Sequence, residues 1–130
     1  MGHGSLRKGF LKGVGIDLCD VQRIQKMMDR WGNTFEGRVF TEREIKESHD
    51  KASSLAARWA AKEAFSKAIK TGIKDFNFAD VEVCSEDSGA PSLQLHGDAL
   101  RVFEAMGGGE LHLSLSHEKN MAVAVVIWVG

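Results

Sequence analysis

The amino-acid sequence predicts an α+β domain in which helices pack on a mainly antiparallel sheet. Segments with helical periodicity fill most of the first half of the chain, and segments with strand-like alternation follow in the second half. The chain has 130 residues, a length typical of one domain. We take residues 6–130 as that domain and set residues 1–5 aside as a cloning remnant or a disordered start.

A strand and a helix are predicted first. Residues 12–18 form a short strand ending at Asp17, and Asp20 can cap the following helix, which stops at Gly32. One face of this helix is apolar and consists of Val21, Ile24, Met28 and Trp31. The opposite face carries a basic stripe of Arg23, Lys26 and Arg30. The stripe is either a solvated face or a docking surface for an acidic protein partner.

Two further helices are predicted from capping signals. Thr41 and Glu44 match the T-x-x-E capping box, so a second helix starts there and runs toward Asp50. The third helix is the strongest prediction; it covers residues 54–71 and ends at Gly72. Small alanines fall on one narrow arc of the third helix and form a smooth face for close packing: Ala57, Ala61, Ala64 and Ala68.

The second half of the chain predicts four strands, at residues 81–84, 93–96, 111–116 and 121–129. A turn at residues 88–91, which contains the only proline, joins the first two strands. Asp98 can cap a short helix that ends at three consecutive glycines. Leucines at 111, 113 and 115 alternate with polar residues, as in a half-buried strand.

Composition excludes several functional classes. The net charge of −1 argues against a general nucleic-acid binder. The longest apolar run, residues 121–129, is too short to span a bilayer, so we expect no membrane partner. Cys19 and Cys84 form neither a metal-type pair nor a disulfide framework. We interpret them as core thiols of a protein in the reducing cytoplasm.

The third helix also carries the strongest chemical signal. Arg58 and Lys62 share a stripe with apolar side chains, and basic groups embedded in this way often hold an anionic ligand. Glu63 lies on another side of the helix, four residues before Lys67. The simplest interpretation of this spacing is an exposed ion pair worth about 0.2–0.5 kcal/mol. The alternative is that Glu63 belongs to a ligand site.

Asp17 and Glu63 together suit a magnesium–phosphate site. Magnesium keeps several waters, so one or two protein carboxylates plus substrate phosphates complete its coordination. Such a site beside lysine and arginine favours phosphoryl-type transfer. By itself Asp17 is more typical of a turn or helix cap, and a lone histidine such as His117 is more often structural than functional.

These residues resemble the holo-acyl-carrier-protein synthase family of 4′-phosphopantetheinyl transferases. Residues 15–17 match its G-x-D motif, and residues 23–24 match its Arg-Ile pair. Residues 59–68 match its W/F-A-x-K-E-A-x-x-K-A helix. Further matches follow in order at residues 38–42, 71–73, 89–91 and 114–117, so the resemblance covers about residues 12–129.

The resemblance implies transfer of the 4′-phosphopantetheine arm of coenzyme A to a serine of apo acyl carrier protein. Asp17 and Glu63 would hold magnesium, and Lys62 would assist proton transfer or stabilise charge as a third catalytic residue. The matched coenzyme A positions are Arg58, Ser66, Lys67, Gly72, Gly89, Pro91 and His117. The matched carrier-docking positions are Arg23 and Arg38, to which the basic stripe adds Lys26. The family also forms homotrimers with active sites between subunits.

Two departures from the family pattern concern charge. The family's Gly-Lys-Pro turn has alanine here, at Ala90, and its F-G-T-G segment has Lys70 in place of the first glycine. We hypothesise that Lys70 replaces part of the missing charge. Two alternative functions stay open: another magnesium-dependent phosphoryl or nucleotidyl transferase, and a trimeric binding module without catalysis.

Overall fold

The computed structural model describes residues 9–70 and 76–130. Its helices are α1 Val21–Trp31, α2 Asn33–Val39, α3 Glu42–Ser48, α4 Ala52–Ile69 and α5 Gly97–Ala105. Its strands are β1 Leu11–Asp20, β2 Val81–Ser85, β3 Pro91–Leu95, β4 Glu110–Glu118 and β5 Met121–Val129. A 3₁₀ turn, Phe78–Asp80, leads into β2. The predicted residues 1–5 and the predicted helix end at Gly72 lie outside the described residues.

The strands form two antiparallel units, which confirms the predicted α+β class. One unit is a three-stranded sheet in the order β1-β5-β4, and the other is the β2–β3 hairpin. The central strand β5 turns small or apolar side chains toward the helices, and these are buried: Ala122, Ala124, Val126 and Trp128. The core therefore lies between α4 and the inner face of the three-stranded sheet.

Helix α4 packs unusually close to β1 because two glycines face it. A Cβ atom at Gly13 would overlap the Ala68 carbonyl oxygen, and one at Gly15 would overlap the Ala64 carbonyl oxygen. The alanine arc predicted from the sequence supplies the matching surface on α4, where Ala64 and Ala68 are fully buried. The glycines thus serve the contact between strand and helix, and this contact fixes the position of α4 against β1.

The predicted helix caps are partly confirmed. Asp20 accepts the Gln22 N–H at 2.8 Å, and Thr41 with Glu44 forms the full capping box. Helix α4 ends at Ile69, and its C-cap Lys70 adopts a left-handed conformation at φ 64°. One prediction about a cap is wrong. Asp98 lies inside the first turn of α5 because Gly97 already begins that helix after His96.

Helix α2 was not predicted, and its sequence explains why. It has seven residues, begins directly after Gly32 and buries only Phe35, so it offers almost no apolar period to detect. The helix that was expected to reach Asp50 ends earlier, since His49 takes a left-handed conformation. Among residues 9–70 and 76–130, no helix has both the length and the apolar character needed to cross a membrane.

Candidate active site

Asp17 lies within β1, three residues before the strand ends, rather than at its end as predicted. Strand alternation puts it on the same face as Gly13 and Gly15, so its carboxylate is directed toward α4. The Lys67 ammonium donates to Asp17 Oδ1 at 2.9 Å and to the Ile16 carbonyl oxygen at 3.1 Å. Of the two interpretations of the Glu63–Lys67 spacing, the structure does not favour the local ion pair, because Lys67 bridges α4 to β1 instead.

Glu63 is half-buried on α4 and shares the electrostatic environment of Asp17. Desolvation by burial raises the pKa of Glu63, and the negative charge of Asp17 raises it further. The positive charges of Lys67 and Arg23 act in the opposite direction on this pKa. Two carboxylates and two cations, drawn from β1, α1 and α4, are thus near enough to influence one another electrostatically.

This acid pair, Asp17 with Glu63, is compatible with magnesium. Both side chains offer the oxygen ligands that this ion prefers. Two protein carboxylates suffice when substrate phosphates and water supply the remaining ligands. In the described part of the chain, no cluster of three or more histidine, cysteine, aspartate or glutamate side chains could hold a metal without such help. The donor set therefore suits a metal shared with a phosphate ligand.

A partly apolar groove adjoins Glu63 and was not predicted. Its lining comes from α2, α4 and the segment before β2: Val39, Trp59, Glu63, Phe76, Asn77 and Phe78. The rings of Trp59 and Phe78 meet edge to face with centroids 4.9 Å apart. The Arg23 guanidinium stacks over Trp59 at 5.4 Å from the ring centroid. Residues far apart in sequence build this groove, so sequence periodicity gives no signal for it.

Lys62 is not brought to the acid pair. Its side chain is fully buried on a different face of α4, and its ammonium lies 2.8 Å from Glu44 Oε1. It also donates to the carbonyl oxygens of Phe78 at 3.0 Å and Val81 at 2.5 Å. Burial lowers the pKa of Lys62, while the charge and hydrogen bond of Glu44 oppose that effect. Sequence reasoning assigned Glu44 to the capping box and missed this partner.

Arg58 is likewise turned into the protein. Its guanidinium donates to the Ser54 carbonyl oxygen at 3.2 Å and to the Ser54 hydroxyl, and it lies 3.8 Å from Glu47. Burial lowers the pKa of Arg58. Ser66, the next predicted ligand contact on α4, is also buried. The predicted stripe of embedded basic residues is therefore real, but protein groups satisfy much of its hydrogen-bonding capacity.

The remaining predicted site residues are dispersed in the chain. His117 lies on β4, and β5 separates β4 from β1, so about 9.5 Å of sheet lies between the backbones of His117 and the Asp17 strand. Gly89 adopts φ 90° in the exposed hairpin turn, and Pro91 begins β3. Lys26 and Arg38 line two neighbouring surface pockets at α1 and α2.

The two cysteines are core thiols, as predicted. Both are free and buried. Burial raises the pKa of Cys19 to about 11, and burial also raises the pKa of Cys84. Both thiols therefore stay protonated near neutral pH, and neither is suited to act as a nucleophile.

The chain belongs to the 4′-phosphopantetheinyl transferase superfamily, which its residues 13–126 match. Similar proteins include the holo-[acyl-carrier-protein] synthase of Halothermothrix orenii, 42% identical over 121 residues that cover 91% of this chain and 97% of the relative. The synthase of Koribacter versatilis is 44% identical over 122 residues, with coverage of 91% and 98%. The resemblance inferred from the sequence motifs is thus confirmed.

Solved structures agree with the fold. The holo-[acyl-carrier-protein] synthase of Helicobacter pylori in complex with coenzyme A is 34% identical, with a TM-score of 0.82 over 90% of this chain and 99% of that chain. The synthase of Neisseria meningitidis is 30% identical, with a TM-score of 0.84 and coverage of 92% and 98%. These matches confirm the fold beyond its general α+β class.

Proposed function

We propose that this protein is a holo-acyl-carrier-protein synthase. It transfers the 4′-phosphopantetheine arm of coenzyme A to a serine hydroxyl of apo acyl carrier protein and releases adenosine 3′,5′-bisphosphate. The observation that carries the proposal is the acid pair of Asp17 and Glu63 beside Lys67, in a chain whose named relatives are holo-[acyl-carrier-protein] synthases. The solved relative with bound coenzyme A supports the choice of donor.

In the proposed reaction the serine oxygen forms a bond to the β-phosphorus of coenzyme A. The bond from that phosphorus to the bridging oxygen breaks, and the bisphosphate leaves with the electron pair. The serine proton passes to a base in solution. Asp17 and Glu63 would hold magnesium, which when bound would spread the negative charge of the pyrophosphate. Lys67 supplies an ammonium at the same place, on a half-exposed side chain that a ligand can reach.

The other matched positions remain proposed contacts on the strength of the resemblance. His117 is the proposed phosphate contact from outside α4, and Arg58 and Ser66 are those from the buried face of α4. Gly72, Gly89 and Pro91 are assigned to the coenzyme A site in the same way. Of this set, His117 and Gly89 are exposed in the structure.

The proposed acceptor is an acidic carrier protein that docks on α1. Arg23 and Lys26 are exposed on this helix, and Arg38 lines an adjoining pocket with apolar walls that include Met27 and Trp31. A surface with both positive charge and an apolar recess suits an acidic partner that also offers an apolar side chain. Arg23 additionally touches Trp59 beside Glu63, so the docking surface continues into the groove.

We further propose a homotrimer in the cytoplasm. The outer face of β1 exposes Val14, Ile16 and Leu18 by 53%, 57% and 64%, a contiguous apolar row that a second copy would cover. Since His117 lies across the sheet from Asp17, a neighbouring subunit is a natural source for the histidine of each site. Ile16→Asp should dissociate the assembly in native mass spectrometry, and an unchanged assembly would contradict this interface.

The two free thiols favour a reducing compartment.

Intact-mass spectrometry tests the proposed function directly. Apo acyl carrier protein incubated with the protein, coenzyme A and magnesium should gain about 340 Da, the mass of the phosphopantetheine arm. EDTA should abolish the gain, and a carrier with its acceptor serine changed to alanine should show none. Coenzyme A binding without mass gain on a validated carrier would favour another phosphoryl or nucleotidyl transferase, or a binding module. Absence of both binding and transfer would overturn the proposal.

A further inference from the structure

The buried ion pair between Lys62 and Glu44 lies behind the groove that adjoins Glu63. We infer that this pair is a positioning device, which holds the wall of the groove at Phe78 in place for the transfer reaction. Lys62 then acts on the reaction through this wall and not by touching the substrate. The inference rests on the proposed function and adds to it a role for two residues.

The hydrogen bonds of Lys62 leave no donor for a ligand. Its ammonium has three N–H groups, and three acceptors lie within hydrogen-bonding distance: Glu44 Oε1, the Phe78 carbonyl oxygen and the Val81 carbonyl oxygen. The side chain has no exposed surface. A ligand could therefore reach this ammonium only if the segment around Phe78 moved away from α4.

Glu44 links the same ammonium to two further elements. Its Oε1 also accepts the Thr41 N–H at 3.0 Å, which ties it to the start of α3. Its Oε2 accepts the Val83 N–H at 2.8 Å, which ties it to β2. One fully buried pair thus joins α3, α4, the 3₁₀ turn and β2.

The contact with Phe78 carries the effect to the groove. The Phe78 carbonyl oxygen is held by Lys62, while its ring packs edge to face on Trp59. Both rings line the groove together with Glu63, which directly follows Lys62 on α4. A shift of the Phe78 backbone would move this wall relative to Glu63, and a misplacement of about 1 Å in a catalytic site can cost about 10²-fold in rate.

A gain in stability alone is a weak explanation for a charged pair in the core. Buried ion pairs are often no more stabilising than apolar residues of similar volume, because desolvation offsets their attraction. Removal of one partner is the damaging change, since it leaves the other charge buried and uncompensated. If the pair acts by positioning, removal of both charges should therefore be less damaging than removal of one. If Lys62 acts directly on the substrate, removal of Glu44 as well should give no recovery.

Four variants test the inference: Lys62→Met, Glu44→Gln, the double variant, and Lys46→Met as a control that removes an exposed ammonium from α3. We expect each single change at the pair to lower kcat by about 10- to 100-fold. The double variant should recover part of the loss of Lys62→Met, because no buried charge then stays uncompensated, although the hydrogen bond to the Phe78 carbonyl oxygen is still absent. Mn²⁺ binding, measured by electron paramagnetic resonance, should be unchanged, since Asp17 and Glu63 are retained. The control should behave as the wild type.

Direct catalysis by Lys62 predicts a different pattern. Glu44→Gln would keep a near-normal kcat, and the folded double variant would be as slow as Lys62→Met; either result overturns the inference. Amide hydrogen exchange at residues 78–83 gives a readout that does not depend on activity. Exchange should accelerate in Lys62→Met and slow in part in the double variant, which still lacks the Lys62 hydrogen bonds; unchanged exchange in Lys62→Met would also overturn the inference. A wild type without transfer activity would refute the proposed function, while this exchange pattern would still support the positioning pair.

Discussion

Substitution of Gly15 by alanine should separate β1 from α4 and thereby damage both stability and activity. The added Cβ would overlap the backbone of Ala64 and also meet the backbone nitrogen of Ala68. No side-chain rotation can relieve a clash with backbone atoms. Overpacking costs about 1–3 kcal/mol when neighbours can adjust, and we expect the upper end of this range here.

The expected net decrease in the free energy of unfolding follows from two opposing contributions. Alanine also restricts the unfolded chain, which favours folding by about 0.4–1 kcal/mol. The free energy of unfolding should therefore fall by about 2 kcal/mol or more, equivalent to a decrease in Tm of about 6–10 °C for a domain of this size. Because Asp17 follows on the same face of β1, the movement should also separate it from Lys67 and slow transfer.

Urea unfolding monitored by tryptophan fluorescence measures this loss, at one fixed protein concentration because assembly shifts apparent stability. Gly37→Ala is the matched control, since Gly37 lies in α2 with open space around a Cβ. That change should stabilise the protein by about 0.4–1 kcal/mol. If Gly15→Ala proved as stable as the wild type, the close approach of β1 and α4 would be wrong.

Three further predictions concern charged groups. Glu63→Gln should reduce turnover by orders of magnitude with an unchanged circular dichroism spectrum, and normal turnover would remove Glu63 from the site. Burial acts to raise the pKa of Glu82, but hydrogen bonds from Thr41 and His96 outweigh it and lower this pKa. The contribution of Glu82 to the free energy of unfolding is therefore present above its unfolded-state pKa and is lost as pH falls through its folded-state pKa. In urea titrations at several pH values, Glu82→Gln should lose less stability on acidification than the wild type does. Lys70→Gly should raise the free energy of unfolding by about 0.5–1 kcal/mol, measured by urea unfolding, because it relieves the left-handed conformation. Unchanged coenzyme A affinity in Lys70→Ala would refute the proposed role of the Lys70 charge.

The sequence predicted those parts of the fold that depend on local chemistry. The capping box of Thr41 and Glu44, the cap at Asp20 and the span of β5 are all as expected. Each depends on neighbours in sequence, so a local pattern suffices. The alanine arc on α4 also predicted a close contact, although only the structure shows that Gly13 and Gly15 are its partners.

The sequence could not show which partner each charged side chain finds. Lys62 could not be distinguished from an exposed ligand contact, because its partner Glu44 is eighteen residues away and already had a local role as a cap. Lys67 had a plausible partner four residues away in Glu63, yet its ion pair is with Asp17 on another element. Helical periodicity predicts on which side of a helix a residue lies, but it does not predict which strand or helix packs against that side.

The contact between Lys67 and Asp17 has a consequence for the order in which ligands enter. A cation that arrives alone must compete with an ammonium that already neutralises the carboxylate at 2.9 Å. A phosphate offers Lys67 another partner and leaves Asp17 free to bind a cation. Each ligand would therefore tighten the binding of the other by the same factor, as thermodynamic reciprocity requires. Metal titrations with and without coenzyme A would measure that coupling.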